Sequence, residues 1–554
     1  MINSNSRFSM NPPRADIRRS SFKRPQQVKF TMSAGKLIPF YVDEVLPGDT
    51  FKIDLSALCR MSTPVFPVMD AAFLDVYFFY VPNRLVWEHF VEFMGENKTA
   101  PWYSETNANL KIPSITDGLS SGQTVTINVG SVADYFGLPI GSIPYGEQVS
   151  DLPFRAYQLI WNEWFRSENL DTPVLVNLGN TGAATVAAGS PYSVARYHDY
   201  FSDCLPSPQK GPSVALPLAS MVPVVTSASM IPHKSTYPAL HFNQTGGTTP
   251  TDASGGVFAD DGTYNLGAGD VGSDEAYQPS GLTALYPANL WADLAANSAV
   301  TVNDMRLAFQ TQKLYEADAR GGTRYTEILR SHFSVQAPDS RLQRPEYLGG
   351  EHIAINVDQV VQTSSTDNTS PQGNTAAYSK TVYRGHAFAK SFVEHGFVIG
   401  VCCVRTARSY QQGIERFWSR KSRLDLYWPV LANIGEQPVY RREIFSSSNL
   451  TSNKAVFGYQ EAWAEYRYKP NRVSGYMRSG VSGSLDSWHY ADYYSGAPTL
   501  SAAWLAEGNA NVARTLAVGE SGVADCQFIC DFYVNNISVR PMPTYSIPGL
   551  IDHH

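Results

Sequence analysis

The chain has 554 residues, 43% hydrophobic and 17% charged, enough apolar material for a large buried core. Its 41 Gly, 35 Pro, 31 Tyr and 27 Phe, with few long charged helical stretches, favour a β-rich sandwich and argue against a helical bundle or an alternating βαβ enzyme. The formal net charge of -7 is uneven: residues 1–36 carry about +7, leaving about -14 for the rest.

Along the chain, residues 1–36 read as a basic, Pro/Ser-rich arm holding Arg7, Arg14, Arg18, Arg19, Lys23, Arg24, Lys29 and Lys36 against Asp16 alone. Such an arm suits phosphate or an acidic neighbouring subunit; the plainer reading is a solvated tail. Leu46-Pro47-Gly48-Asp49 marks a turn, after which Phe51, Ile53 and Leu55 alternate as on a half-buried strand. Residues 71–81 are apolar on both faces and predict a central strand. Asn83 is the expected N-cap of a helix carrying Val86, Trp87, Phe90, Val91 and Met94. A second helix is expected after Asp151 and Pro153, with Tyr157, Ile160, Trp161 and Trp164 on one stripe. Residues 204–300 are rich in Gly, Ser, Thr, Pro and Ala, with Lys210 and Lys234 their only Lys or Arg, and read as a surface insertion. Helical patterns return at 304–317 and 323–333. The remainder is strand-like, as at 353–357, 397–404 and a last core strand over 526–534.

The chemistry of the common enzyme motifs is missing. Gly267–Gly272 matches GxGxxG by letter but lacks the strand before and the helix after that would aim a helix N-terminus at a pyrophosphate. The acids Asp260, Asp261, Asp270, Asp274 and Glu275 could hold a hard cation such as Ca²⁺, yet a solvated acidic loop is the simpler reading, and no cofactor is expected. His198, His332, His352, His386, His395, His553 and His554 form no ligand spacing. Cys59, Cys204, Cys402, Cys403, Cys526 and Cys530 form no CxxC, and all six read as reduced core residues. No charged-then-apolar leader opens the sequence, and residues 214–231 are too broken by Pro217 and Pro223 for a spanning helix, so no membrane insertion is expected.

A basic and aromatic constellation stands out instead. Arg405, Arg408, Arg416, Arg420, Lys421, Arg423, Arg441 and Arg442 are interleaved with Phe417, Trp418, Tyr427 and Trp428. A second group sets Arg467, Lys469, Arg472 and Arg478 beside Trp463, Tyr466, Tyr468 and Tyr476. Cations that neutralise phosphates and rings that stack on unpaired bases make a single-stranded nucleic-acid surface. The same residue types fill subunit interfaces, which is the stronger of the two readings.

Several long segments resemble the major capsid protein of the Microviridae, gokushovirus branch. They are Pro13-Arg14-Ala15-Asp16-Ile17 with Arg19-Ser20-Ser21-Phe22, residues 321–350, residues 412–445 including Ile414-Glu415-Arg416-Phe417-Trp418, residues 457–467, and residues 541–551. Arg18 departs from the Pro often found there, and 204–300 matches poorly. The resemblance implies an eight-stranded antiparallel jelly roll over residues 37–554 with long loops, the basic arm at 1–36 and a variable insertion at about 212–297. It implies self-assembly through pentamers into a T=1 icosahedral shell around circular single-stranded DNA, inside the host bacterial cytoplasm. It also implies three-fold protrusions that meet a host surface receptor, a small basic DNA-binding protein, a DNA pilot protein and an internal scaffolding protein. A carbohydrate-active β-sandwich enzyme and a receptor-binding spike module are the rival readings.

Overall fold

The computed structural model describes residues 18–96, 110–182, 184–212, 214, short strands between 224 and 292, 302–321, 325–335, 343–366, 371–517 and 526–545. The expectations at Arg7, Arg14, Gly267–Gly272, His553 and His554 lie outside these residues.

The long strands are β1 (Ser20–Met32), β2 (Ile38–Val45), β3 (Thr50–Met61), β4 (Ala72–Pro82), β5 (Glu346–Ala354), β6 (Thr381–Ser391), β7 (Gly396–Thr406) and β8 (Phe528–Arg540). Apolar and polar residues alternate most clearly on β3 and β8, whereas β4 and β7 are apolar runs. They form two four-stranded sheets, ordered β1-β8-β3-β6 and β5-β4-β7-β2, with every neighbouring pair antiparallel. Strands early and late in sequence alternate across each sheet, which is jelly-roll connectivity. The protein is mainly β.

Each strand's burial follows its place in the layers. On β3, Phe51, Ile53, Leu55, Ala57 and Cys59 face the other sheet and are buried, while Lys52 and Arg60 point to solvent. β4 and β7 lie inside their sheet and are covered on both sides. Leu74, Val76, Phe78, Val398 and Cys402 meet the first sheet, whereas Phe79, Val81, Ile399, Val401 and Cys403 meet a helical layer. That is why residues 71–81 read as apolar throughout. Phe532 meets Phe40 of the opposite sheet edge-on at 5.0 Å and Phe30 of its own sheet at 5.1 Å. Burial of each such ring contributes about 1.5–3 kcal/mol.

The helical layer centres on α1 (Leu152–Ile160), which continues as a π-turn over Trp161–Phe165. Tyr157 donates its hydroxyl to the Leu37 carbonyl at 2.8 Å. Asp151 occupies the N-cap position, but its carboxylate takes Arg155 Nε at 2.7 Å instead of capping a backbone N–H. Arg155, fully buried, also donates to the carbonyls of Val86, Gly179 and Thr181.

Several sequence expectations are corrected. Part of the expected arm, Ser20–Met32, is edge strand β1, paired along its whole length with β8 because Phe22, Val28 and Phe30 alternate toward the core. Asn83 does not cap a long helix. Pro82 precedes a 3-10 turn over Asn83–Leu85, and a separate α-turn covers Phe90–Phe93, with Val86 and Trp87 completely buried between the two. The strand expected at 353–357 breaks after Ala354, where Ile355 and Asn356 give their N–H groups to Ala72 O and Thr381 Oγ1, and a new strand covers Val357–Val361. The last strand runs to Arg540, well past residue 534. Cys526 is only half-buried; the other five thiols are buried, and all six are free.

The chain divides into two compact units, Met1–Lys210 with Glu316–His554, and Gly211–Tyr315. Within the second, the described strands form small antiparallel ladders: Val224–Thr226 with Leu290–Ala292, His241–Gln244 with Leu285–Pro287 and Thr251–Asp252, and Phe258–Asp260 with Thr263–Asn265. The expected helices appear as α2 (Val302–Gly321) and α3 (Tyr325–Phe333). No helix among the described residues is long and apolar enough to cross a membrane.

Candidate nucleic-acid and subunit-contact site

The two basic and aromatic groups, separate in sequence, meet around one cavity of about 510 Å³ lined by Arg416, Phe417, Trp418 and Arg420 from one and Tyr466, Tyr468, Lys469, Arg472 and Arg478 from the other. Trp463 adopts a left-handed backbone (φ +66°), an uncommon state for a bulky residue, and opens the 3-10 turn Ala464–Tyr466. Its indole N–H donates to the Leu431 carbonyl at 2.8 Å, tying the two groups together.

Carboxylates inside the cavity already hold several of its cations. Glu465 lies 3.3 Å from Arg420 and 3.7 Å from Arg416, and the Arg420 guanidinium stacks over Tyr466. Glu443, raised in pKa by burial, accepts the Tyr200 hydroxyl at 3.0 Å and stands 3.8 Å from Arg416. Glu415 pairs with Lys469 and lies 3.5 Å from Arg472. Arg478 donates only to the Gln411 carbonyl, at 2.9 Å, so its charge meets no carboxylate among the described residues. Trp418 is 70% exposed at the mouth, against Phe417 at 4.7 Å.

Beyond the mouth runs a ledge, residues 421–430, every one of them exposed. Leu424, Leu426, Tyr427, Trp428 and Val430 (93% exposed) form an uncovered apolar surface. The ledge is nonetheless well defined. Ser422 and Asp425 form a reciprocal capping box, with the Asp425 carboxyl held below its usual range by the Ser422 and Lys421 amides. Trp428 Nε1 donates to Arg423 O at 2.8 Å, and the Arg423 guanidinium lies over the Trp428 ring.

The other sequence candidates divide by partner. Arg24 pairs with Asp43. Arg405 gives Nε and Nη2 to Asp75 at 2.8 and 2.6 Å. Arg408, buried, spans Asp492 at 2.6 Å and Glu507 at 2.5 Å. These three are spent inside their own chain, a partner that sequence reading had not weighed beside DNA and a neighbouring subunit. Arg441 and Arg442 are half-buried, the latter over the Tyr440 ring; Arg467 pairs with Glu461. Arg18, Arg19, Lys23 and Lys421 are exposed. Sequence reasoning missed the carboxylates, Asp75, Asp492 and Glu507, because nothing local links them to their arginines. It also passed over Lys52, Arg60 and Arg384, which the alternation of β3 and β6 places on a solvent face.

Among the described residues, no group of three His, Cys, Asp or Glu side chains could hold a metal ion. A two-sheet jelly roll with long ordered loops and an uncovered apolar ledge is an architecture that viral shell subunits use. The chain belongs to the capsid protein (F protein) family, whose model matches residues 11–550. It is 40% identical to capsid protein VP1 of Chlamydia phage 1 over 592 aligned positions, covering 97% of this chain and 96% of that one. It is 41% identical to capsid protein VP1 of Spiroplasma virus 4 (96% of each chain), and 39% to that of Bdellovibrio phage phiMH2K (97% and 96%). The resemblance to gokushovirus capsid proteins thus holds over nearly the whole chain, and the protein is a structural component of a virion capsid, not an enzyme.

Proposed function

We propose that this chain is the major capsid subunit of a T=1 icosahedral shell, assembled through pentamers in the host bacterial cytoplasm around circular single-stranded DNA. The observation that carries the reading is the ledge at 421–430: an ordered, aromatic and aliphatic surface left bare in the single subunit. Exposed apolar surface of this kind marks a protein contact, and head-to-tail contacts that close by rotation generate the rings from which a shell is tiled. Lys421 and Arg423 on the ledge itself, together with Arg441, Arg442 and Arg467, are the residues we assign to the polar rim of that contact.

The test is negative-stain microscopy of the expressed chain, with and without an internal scaffolding protein. Val430→Asp with Leu424→Asp should abolish particles while leaving the melting temperature of the free subunit within about 1 °C, because both side chains are already largely in solvent. Undiminished particle yield would remove the ledge from the interface. The segment at about 212–297 forms the three-fold protrusion that meets a host receptor, so its deletion should leave particles that assemble but adsorb poorly. The small basic DNA-binding protein and the DNA pilot protein complete the virion.

A second reading gives the cavity mouth to DNA. It is favoured by Arg478, free of carboxylates, beside exposed Trp418 and Arg472. The N-terminal cations Arg14, Arg18 and Arg19 belong to the same reading.

A further inference from the structure

Register across the first sheet collects charge that no sequence motif announces. On β3, the residues between the buried ones are Lys52, Asp54, Ser56, Leu58 and Arg60. Their partners on β8 are Ile537, Asn535, Tyr533, Asp531 and Ile529. Continuing outward, Lys23 opposes Ile537 and Lys29 opposes Asp531 on β1, while Arg384 opposes Ser56 on β6. Directly paired residues of a sheet point to the same side. Lys23, Lys29, Lys52, Arg60 and Arg384 therefore share one face, and all five are exposed. None has a carboxylate within ion-pair distance among the described residues.

The two acids of this face are hydrogen-bonded to groups other than its five cations. Asp531 accepts both of its hydrogen bonds from Gln27 Nε2, at 2.8 and 2.9 Å. Asp54 is hydrogen-bonded to His386 Nδ1 at 2.8 Å and Asn535 Nδ2 at 3.4 Å. The face keeps a surplus of positive charge, spread over about 20 Å along β1 and about 14 Å across the four strands. Near its centre, β8 presents the half-exposed Tyr533 ring, with Ile529 toward the end of the strand. Distributed cations around a central aromatic on a smooth sheet suit a flexible polyanion that also offers flat apolar surfaces. They do not suit a single small anion, which needs convergent donors.

We infer that this sheet face binds single-stranded nucleic acid, its cations on backbone phosphates and Tyr533 under a base. The inference rests on the reading of the chain as a shell around DNA, and it assigns the inner wall to the β1-β8-β3-β6 sheet.

The test uses the unassembled full-length subunit, so that failure to bind is separable from failure to form shells. Binding of fluorescent oligothymidylate is measured against salt for the wild type and for Lys29→Gln/Lys52→Gln/Arg60→Gln. Three lost phosphate contacts should reduce the slope of log K against log salt by about 2, and lower affinity about fiftyfold at about 0.15 M salt. Lys23→Gln/Arg384→Gln, on the edge strands, gives a second variant if the first folds poorly; it should reduce the slope by about 1.4. Tyr533→Ala should weaken binding without changing the slope. Unchanged slopes in both charge variants would overturn the inference. So would equally tight, equally charge-dependent binding of polyglutamate, which would make the face a dock for acidic protein.

Discussion

Replacing Asp492 with Asn would test whether buried charge holds the loop layer onto the sandwich. Asp492 is buried and accepts from Arg408 at 2.6 Å, Arg196 at 3.1 Å, Asn511 at 2.6 Å and the Tyr494 hydroxyl at 2.9 Å. Arg408 would keep Glu507, but Arg196 would lose its carboxylate and retain only the face of Trp504, 4.3 Å away. Removing one partner of a buried pair costs about 3–5 kcal/mol. With Glu507 still neutralising Arg408, we expect about 3 kcal/mol, read as a lower urea midpoint of the unassembled subunit at unchanged m. Arg196→Met in the same background should recover part of the loss by removing the stranded cation. Burial alone would raise the Asp492 pKa, but Arg408 and Arg196 override it and hold the carboxyl below its usual range. Its stabilisation is therefore present above the ordinary carboxylate pKa and is lost as pH falls through the depressed value. The wild type should accordingly lose its advantage over the variant below about pH 4. A destabilisation under about 1 kcal/mol at neutral pH, or one unaffected by Arg196→Met, would refute the reasoning.

Two further outcomes follow from packing. Burial pushes the Cys403 thiol up to about 12, and Cys530 is raised by its hydrogen bond with Cys59, 3.6 Å away, and by burial. Maleimide should thus label no thiol but half-buried Cys526 in the native subunit and all six in denaturant, as read by mass spectrometry. A Cβ at Gly413 would lie 1.9 Å from the Glu443 carbonyl oxygen, whereas one at Gly508 would meet nothing within 4 Å. Gly413→Ala should cost about 3 kcal/mol and Gly508→Ala almost nothing, in parallel urea titrations.

What could be read from the sequence was what periodicity encodes. The alternation at Phe51, Ile53 and Leu55, the two-sided apolar run at 71–81 and the stripe from Tyr157 to Trp164 each became the expected element. Failures came where distant partners decide. Arg405 and Arg408 read as surface cations because Asp75 and Asp492 lie 330 and 84 residues away. Ser20–Met32 read as an arm because its partner strand lies at the other end of the sandwich sequence. The left-handed backbone of Trp463, whose indole ties the two basic groups together, is likewise something no propensity foretells.

That last pairing has a kinetic meaning. β8 sits between β1 and β3, so the first sheet has an empty slot until residues 528–540 have left the ribosome, and contacts such as Arg24 with Ser538 span 514 residues. Closure over such a distance is slow and comes late. Nascent chains in dense polysomes therefore cannot complete the charged wall or present a finished subunit to one another. Prematurely terminated chains lacking β8 likewise fail to build the wall, so the order of strands screens out incomplete copies before any shell begins to form.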